Sequence, residues 1–477
     1  MKKRKILLIL PKEDMHSEAI VKIKSLPFSI LCLGTYLINK GHKVKLIDLK
    51  FDKIKITKEM VEEYDFFGFS VMSADVRNAL ELSRKIKQIN PEKQIIWGGV
   101  HPSLYPEQCR SEKSIDYAVV GEGEKALLAI VNGKAKKGIV KSNEFIDIGE
   151  ISPLRWDLLD IERYTGNFKG NKSLALHTGR GCPFKCAFCI NTVISQKYRA
   201  LSAKKILNEM KILKERYGIR HFRLNDENFF VDKKKTRAIV NALKGKDITW
   251  DAQCRADYFN DDYLGKNYLP LSDLRKSGCI LLLIGVESGS QRVLDLLCKG
   301  TTVEQNVHAV TECAKNDIVC ITSYMCGLPG ETKSDLIKTL NQINYLIKVC
   351  KGKLAIQGPH PYRPYPGSLL YNKVKKYLDE PKTLDGWATR GTFSGFMPIE
   401  KMDWVKNPQL FKRINFYGKN APFSYIPGET RKKLIFRWFS RRRFRYHFFN
   451  FPFETLIAER KNFRNFIKKL KEFFIIV

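Results

Sequence analysis

No stretch of this chain of 477 residues approaches the 18 or so consecutive apolar residues that a membrane-crossing helix needs. Near the N-terminus the apolar run ILLIL ends at Pro11, which is too short for a signal peptide and predicts a first buried strand instead. The sequence also lacks internal repeats and low-complexity linkers. We therefore predict a cytoplasmic globular protein, and its length predicts two or three domains.

Acidic residues are scarce, since 50 Asp and Glu face 84 Lys and Arg, giving a net charge of +34. Such a charge suits nucleic acid, an anionic membrane surface or an acidic partner. Residues 401–477 hold 19 Lys and Arg, 5 Asp and Glu and 14 of the 29 phenylalanines. The segment 431–453 mixes arginines with aromatics, which is compatible with an interfacial helix, a nucleic-acid surface or a subdomain that closes an active site. We favour closure with peripheral contact to an anionic membrane.

Short apolar runs alternate with amphipathic helical stretches over residues 1–133. This pattern predicts a doubly wound, flavodoxin-like parallel sheet, and such a sheet binds ligands at the carboxyl ends of its strands. Those ends read SVMS (70–73), GGVHP (98–102) and GEGE (121–124). Because no GxGxxG follows the first strand, a dinucleotide is not the favoured ligand.

A second alternation of strands and helices predicts a partial (β/α)6 barrel with its chemistry at the strand carboxyl ends. After about residue 376 the alternation stops, and we expect a mainly helical, basic extension. The predicted organisation is a first domain over 1–140, a linker over 141–170, the barrel over 171–375 and the extension over 376–477. The six barrel strands are predicted in the segments 173–179, 221–227, 248–256, 279–289, 318–330 and 353–362.

Three cysteines, Cys182, Cys186 and Cys189, lie within eight residues after the first barrel strand, and no fourth cysteine or histidine follows nearby. Twelve cysteines in a cytosolic chain indicate metal or redox use of a subset, not a disulfide framework. A structural zinc would need four ligands. A cubane iron–sulfur cluster on three thiolates keeps one iron without a protein ligand, and the spacing favours that cluster.

The C-x3-C-x2-C loop after a first barrel strand resembles the signature of the radical S-adenosylmethionine (SAM) superfamily. The resemblance implies a [4Fe-4S] cluster on Cys182, Cys186 and Cys189, whose open iron is chelated by SAM, and cleavage of SAM to a 5′-deoxyadenosyl radical. It also implies SAM contacts at positions that match the family's motifs, in CAFC, NDE, QCRAD, GVESGS and GLPGET. These residues are Phe188, Asp226, Glu227, Arg255, Glu287, Ser288 and Gly327.

The first domain resembles the cobalamin-binding domain fused to a large radical SAM subclass, through the segments 26–49, 98–103 and 119–124. The resemblance implies cobalamin at the strand ends and no protein histidine on cobalt. His16, in the segment DMH, lacks the glycine that such a ligand loop carries, so we do not expect it to bind cobalt. The implied cobalamin-binding residues are Ser70, Val71, Met72, Gly98, Gly99, Val100, His101, Gly121, Glu122 and Gly123.

Together these resemblances imply a class B methyltransferase that methylates an unactivated carbon, with a ferredoxin or flavodoxin as low-potential electron donor. The substrate stays open between a lipid, a peptide and a small molecule, and no catalytic residue beyond the cluster and cofactors can be named. An oxidative cyclase of a porphyrin ester is the alternative. A cobalamin sensor is disfavoured by the intact cysteine loop. A tRNA methylthiotransferase is rejected, because the first domain offers only Cys32 and Cys109 for a second cluster.

Overall fold

Two sheets of mostly parallel strands organise the protein. No helix in the part of the chain described is both long and apolar enough to cross a membrane. His16 and most of the segment 431–453 lie outside the described residues, so the expectations placed on them stay predictions. The computed structural model describes residues 3–12, 25–141, 144–194, 197–259, 269–390 and 402–420, with a few positions between 438 and 448.

The first sheet has six strands, all parallel, in the order β2-β1-β3-β4-β5-β6. This order is flavodoxin-like and confirms the predicted fold class: all strands point the same way, and the order in which the chain adds strands to the sheet reverses between β1 and β3. Side chains of β1 alternate between two hydrophobic cores, Ile6 and Leu8 on one face and Leu7 and Ile9 on the other. The strands are β1 (Lys5–Leu10), β2 (Lys43–Asp48), β3 (Phe66–Ser70), β4 (Gln94–Gly98), β5 (Tyr117–Val120) and β6 (Gly138–Lys141).

Six helices connect these strands and cover both faces of the sheet, as parallel crossovers require. They are α1 (Phe28–Asn39), α2 (Lys58–Glu63), α3 (Val76–Ile89), α4 (Val100–Leu104), α5 (Pro106–Ser111) and α6 (Gly123–Val131).

The second sheet runs in the order β15-β14-β13-β12-β11-β8-β7, and all neighbours are parallel except the β7–β8 hairpin. Its six parallel strands are those expected for the partial barrel. A short antiparallel pair, β9 and β10, follows the first of them. The strands are β7 (Gly166–Phe168), β8 (Asn171–Leu176), β9 (Gly179–Arg180), β10 (Arg199–Ala200), β11 (His221–Leu224), β12 (Thr249–Cys254), β13 (Cys279–Glu287), β14 (Val319–Cys326) and β15 (Leu354–Pro361).

Helices follow the barrel strands, and the longest have strong end signals. Ser202 caps α8, while Thr302 and Thr332 form capping boxes at the starts of α12 and α13. The helices are α7 (Asn191–Ile194), α8 (Ala203–Tyr217), α9 (Lys233–Leu243), α10 (Leu271–Lys276), α11 (Gln291–Leu296), α12 (Val303–Lys315), α13 (Lys333–Val349) and α14 (Leu369–Val374).

The C-terminal extension packs on both halves of the molecule. Helix α15 (Leu384–Arg390) lies on α3 of the first domain, where Trp387 joins the hydrophobic core. Helix α16 (Pro408–Asn420) lies against β15 of the barrel. The described part of the extension is therefore an integral layer of the fold.

The segment between the two sheets is held by one buried carboxylate. Glu209 of α8 is 1% exposed and accepts hydrogen bonds from the Trp156 indole N–H (2.8 Å), the Leu154 backbone N–H (2.9 Å) and the Ser152 hydroxyl (3.1 Å). Three short 3-10 helices, Ile148–Ile151, Trp156–Leu158 and Ile161–Tyr164, make up much of this segment. The carboxylate thus fixes the path of the chain from one sheet to the other.

We predict that Glu209→Ala lowers the free energy of unfolding by about 2–4 kcal/mol, because buried N–H donors of Trp156 and Leu154 lose their acceptor. The measurement is chemical denaturation followed by circular dichroism. The matched control is Glu215→Ala on the same helix, whose side chain is 63% exposed and should change stability by less than about 0.5 kcal/mol. Equal effects of the two variants would contradict the assigned role of Glu209.

Candidate functional site

The three-cysteine loop lies between β9 and α7, and its shape is fixed by backbone hydrogen bonds. Ala187 donates its N–H to the Leu297 carbonyl (2.8 Å) and accepts the N–H of Leu370 (2.9 Å). Within the loop, the Cys189 N–H donates to the Cys186 carbonyl (3.0 Å). Residues that follow β13 and β15 therefore hold the loop from two sides.

The cysteine thiols lie near one another in a largely buried site. Burial raises the pKa of Cys182 and Cys189, and the charge of Cys186 raises both further. Arg255 and Asn228 act in the opposite direction on Cys182, and Lys299 does so on Cys189. No three His, Cys, Asp or Glu side chains in the described ranges converge as ligands of a single metal ion. Three thiols with two neighbouring cations suit an anionic thiolate-bound cluster.

Arg255 is directed at the cysteine loop. Its guanidinium lies 3.7 Å from the centre of the Phe184 ring and donates to the Cys186 sulfur at 3.8 Å. Two further N–H groups bond the Asp257 carboxylate at 3.0 and 2.9 Å. A fixed, buried cation therefore faces a predicted cluster ligand.

Asn228 is a site residue that sequence reasoning missed. It is 2% exposed, donates to the Tyr258 hydroxyl (2.8 Å) and lies within hydrogen-bonding reach of Cys182, whose pKa it lowers. Its side-chain oxygen is buried and has no hydrogen-bond partner among the residues that the structure describes, an arrangement that favours a ligand at this position. Its position two residues after Asp226, at the end of the second barrel strand, could have identified it from the sequence.

Glu287 ends β13 in an unusual backbone conformation. Its φ is 64°, in the left-handed region that favours glycine, and the pairing register with β14 shifts between Gly285 and Glu287. Its carboxylate accepts from Lys299 Nζ (3.0 Å) and from the Ser323 hydroxyl (3.4 Å). Strained residues held by several partners are common at binding sites. Lys299, which also lies 5.9 Å from the Phe188 ring, was not predicted.

Other predicted SAM residues occupy different settings. Asp226 is 1% exposed and accepts from the Thr178 N–H and hydroxyl, both at 2.5 Å. Ser288 is fully buried and bonded to the Thr339 hydroxyl at 3.0 Å. The side chains of both are thus engaged by the protein itself. The Glu227 side chain is exposed. Neighbouring residues still reduce the hydration of its carboxyl group, which raises its pKa.

Gly327 lies at the end of β14 with a φ of 71° and is covered by the C-terminal extension. Its N–H donates to Glu331 (2.7 Å), and its carbonyl accepts the Trp404 indole N–H (2.9 Å). A Cβ placed on Gly327 would lie 3.5 Å from both Met402 and Val405. Burial raises the pKa of Glu331 to about 8. The extension therefore closes this part of the barrel mouth.

A cavity of about 270 Å³ opens at the strand ends of the first sheet, beside the reversal point between β1 and β3. Gly99 has a φ of 99°, and a Cβ there would lie 2.9 Å from the Val71 carbonyl, so only glycine fits. Six of the ten predicted cobalamin residues line this cavity, and four of the six are glycines, which carry no side chain between the cavity and the backbone. The six are Ser70, Gly98, Gly99, Gly121, Glu122 and Gly123.

His101 is absent from the residues that line the cavity. It is fully buried, its Nδ1 shares a hydrogen bond with the Ser73 hydroxyl (3.1 Å), and its ring packs against Tyr105 and Trp387. Burial lowers its pKa to about 3. The chain turns after Gly99 so that His101 enters the core beneath α15. Three further predicted residues are absent from the lining: Val71, Met72 and Val100.

The barrel contributes to the same cavity through His177 and Arg180, which follow its first strand. The His177 ring lies 4.1 Å from the Phe28 ring and bonds Asn225 (3.3 Å). Arg180 pairs with the buried Glu124 at 2.7 Å. The cavity thus borders the segment that leads directly into the cysteine loop. Sequence reasoning missed both residues, although their position before Cys182 was a usable signal.

Two protein families match the chain, each over one of the two sheets. The B12 binding domain family matches residues 21–131, and the radical SAM superfamily matches residues 176–343. These ranges contain the cavity at the first sheet and the cysteine loop.

Similar proteins match most of the chain. An uncharacterized methyltransferase of Pyrococcus horikoshii is 29% identical over 78% of this chain and 83% of its own length. An anaerobic magnesium-protoporphyrin IX monomethyl ester cyclase of Rubrivivax gelatinosus is 28% identical over 61% of this chain and 56% of its own.

The fold has a close structural counterpart. The radical SAM methyltransferase TsrM of Kitasatospora setae, solved with cobalamin and a [4Fe-4S] cluster, covers 81% of both chains with a TM-score of 0.61 and 17% identity. With both domain families matched, the chain carries a B12-binding domain and a radical SAM domain, and its fold is similar to that of TsrM.

Proposed function

We propose that this protein is a cobalamin-dependent radical SAM methyltransferase that acts on an unactivated carbon. The observation that carries the proposal is the adjacency of the two sites, because His177 and Arg180 line the cavity of the first sheet and belong to the short segment that leads into Cys182. When bound, the cluster with SAM supplies a carbon-centred radical, and cobalamin supplies a methyl group.

The chain's own residues hold and shield these groups. Cys182, Cys186 and Cys189 would hold the cluster, and the Glu287–Lys299 pair provides an ordered carboxylate at one of the predicted SAM contacts. The glycines of the first sheet admit the corrinoid close to the backbone. Trp404, bonded to Gly327, helps to keep water from the barrel mouth, which a reaction with a carbon radical requires.

The reaction needs a reductant and a substrate. We infer a ferredoxin or flavodoxin as the reductant. Substrate identity stays open between a lipid, a peptide and a small molecule. Contact of the segment 431–453 with an anionic membrane stays a prediction, since that segment lies mostly outside the described residues.

An oxidative cyclase is the second candidate, favoured by the 28% identity to the magnesium-protoporphyrin ester cyclase of Rubrivivax gelatinosus. Both candidate reactions use the same cofactors, and they differ in the product that is released. Methyl transfer places the methyl carbon of SAM in the product, whereas cyclisation does not.

We expect anaerobically reconstituted protein, incubated with methyl-deuterated SAM and a host extract, to place the label in a product seen by mass spectrometry. Cys189→Ala should abolish both 5′-deoxyadenosine and the labelled product, because the cluster loses a ligand. Cys350→Ala, at a buried cysteine outside the loop, should retain both. Formation of 5′-deoxyadenosine without labelled product would favour the cyclase, and loss of neither product in Cys189→Ala would refute the assigned site.

A second prediction concerns Arg255. A buried cation that donates to a ligand sulfur stabilises the reduced, more negative cluster. We therefore expect Arg255→Gln to shift the midpoint potential of the reconstituted cluster to more negative values, on the order of tens of mV. The readout is a potentiometric titration followed by EPR. Arg223→Gln, at an exposed arginine of β11, is the control and should leave the potential unchanged. An unchanged potential in Arg255→Gln would contradict the inferred contact.

A further inference from the structure

An exposed surface beside the cysteine loop combines apolar and basic side chains. We define it as the loop face, made of Lys185, Val193, Tyr365, Leu369 and Lys373, all of which are exposed. Leu369 is 58% exposed and Tyr365 is 39% exposed, so two large apolar side chains of this surface contact water.

A backbone hydrogen bond and a close packing contact join the loop face to the cysteine loop. The N–H of Leu370, at the start of α14, donates to the Ala187 carbonyl (2.9 Å). A Cβ on Gly367 would lie 3.1 Å from Val193, so the turn before α14 rests on α7. Leu369 and Lys373 are four residues apart on α14 and therefore share one side of the helix.

The sequence around the loop face has no negative charge over long stretches. Residues 178–208 contain six Lys and Arg, and residues 336–378 contain eight, with no Asp or Glu in either range. Arg180 and Arg199 of the first range are paired with glutamates of the first domain. Asp379 and Glu380 follow the second range, and Glu380 bonds Tyr105 and Tyr371.

We propose that the loop face is the docking surface of a small acidic electron carrier that reduces the cluster held by the cysteine loop. The proposal rests on the proposed function, because only a redox-active cluster needs such a partner. Electron transfer requires a short path, and Lys185 of the loop face lies within the cysteine loop itself, next to Cys186 in the sequence. Small contacts with exposed apolar centres and charged rims suit brief redox encounters.

Charge complementarity selects the occupant. The C-terminal segment 401–477 carries 19 Lys and Arg against 5 Asp and Glu, so it would be repelled by the lysines of the loop face. An acidic protein is attracted by the same lysines, and such attraction speeds association in a salt-dependent way. An anionic membrane is the competing occupant that the test must separate.

The test uses the full-length reconstituted enzyme and measures cluster reduction by stopped-flow absorbance under anaerobic conditions, with a reduced flavodoxin as the probe. We expect Leu369→Glu combined with Lys373→Glu to lower the rate with flavodoxin at least about tenfold, because steering typically contributes factors of 10 or more. The rate with dithionite should not change. Added salt should slow flavodoxin reduction of the wild type.

The matched control is Tyr345→Glu combined with Lys348→Glu, which makes the same change at exposed positions of α13. It should reduce at the wild-type rate with both reductants. Equal rates of the two double variants with flavodoxin would overturn the proposal, as would a parallel loss with dithionite, which would indicate damage to the cluster site.

Sedimentation with phosphatidylglycerol vesicles tests the competing occupant. Loss of vesicle binding in the loop-face variant, with flavodoxin reduction unchanged, would assign the surface to a membrane and overturn the proposal. Failure of the docking surface is distinguishable from failure of the proposed function, because dithionite-reduced wild type reports SAM cleavage and methyl transfer without any protein donor.

Discussion

Two backbone hydrogen bonds of Ala187 are the constraint on which the active-site geometry depends. They tie the middle of the cysteine loop to Leu297, after the fourth parallel barrel strand, and to Leu370, after the sixth. If the loop holds one cluster on three thiolates, as proposed, it cannot relax freely, because each thiolate must keep its direction. Fixing Ala187 from two sides gives the loop this rigidity without using any side chain of the ligands. Because one of these bonds comes from Leu370, it also fixes the start of α14 beside the cysteine loop.

Buried ion pairs join the two sheets around the shared cavity. Arg180 and Arg199, from the β9–β10 pair, bond Glu122 and Glu124 at the end of β5, and all four are mostly withdrawn from water. Removing one partner of such a pair would strand a buried charge, which is costly. The pairs therefore favour one relative position of the first sheet and the barrel. That position sets where a corrinoid in the cavity stands relative to the cysteine loop.

The sequence was informative wherever local pattern decides structure. All six predicted barrel strands exist, and β12, β13 and β15 lie within two residues of their expected bounds at both ends, because continuous apolar runs between amphipathic helices leave few alternatives. The short β6 was missed, since GIVK carries too little pattern. At the site, the sequence located the cysteine loop and the glycine-rich strand ends. It could not show that the His101 ring is buried, because the backbone turn at Gly99, which directs that ring into the core, depends on tertiary packing. Lys299 and Asn228 were missed because they come together with the loop only in three dimensions.

The C-terminal extension explains how an enclosed site can form between two separately patterned domains. Trp387 bonds Gln108 and packs on His101 in the first domain, while Trp404 bonds Gly327 in the barrel. One continuous segment thus contacts both halves, on either side of the residues that lie outside the described chain. Since a carbon radical reacts with any accessible C–H bond, the barrel mouth must be closed when the radical forms. The extension is anchored on both halves, so it can close the barrel mouth only when the two halves have the relative position that the ion pairs fix. Closure of the site therefore depends on the orientation of the two domains.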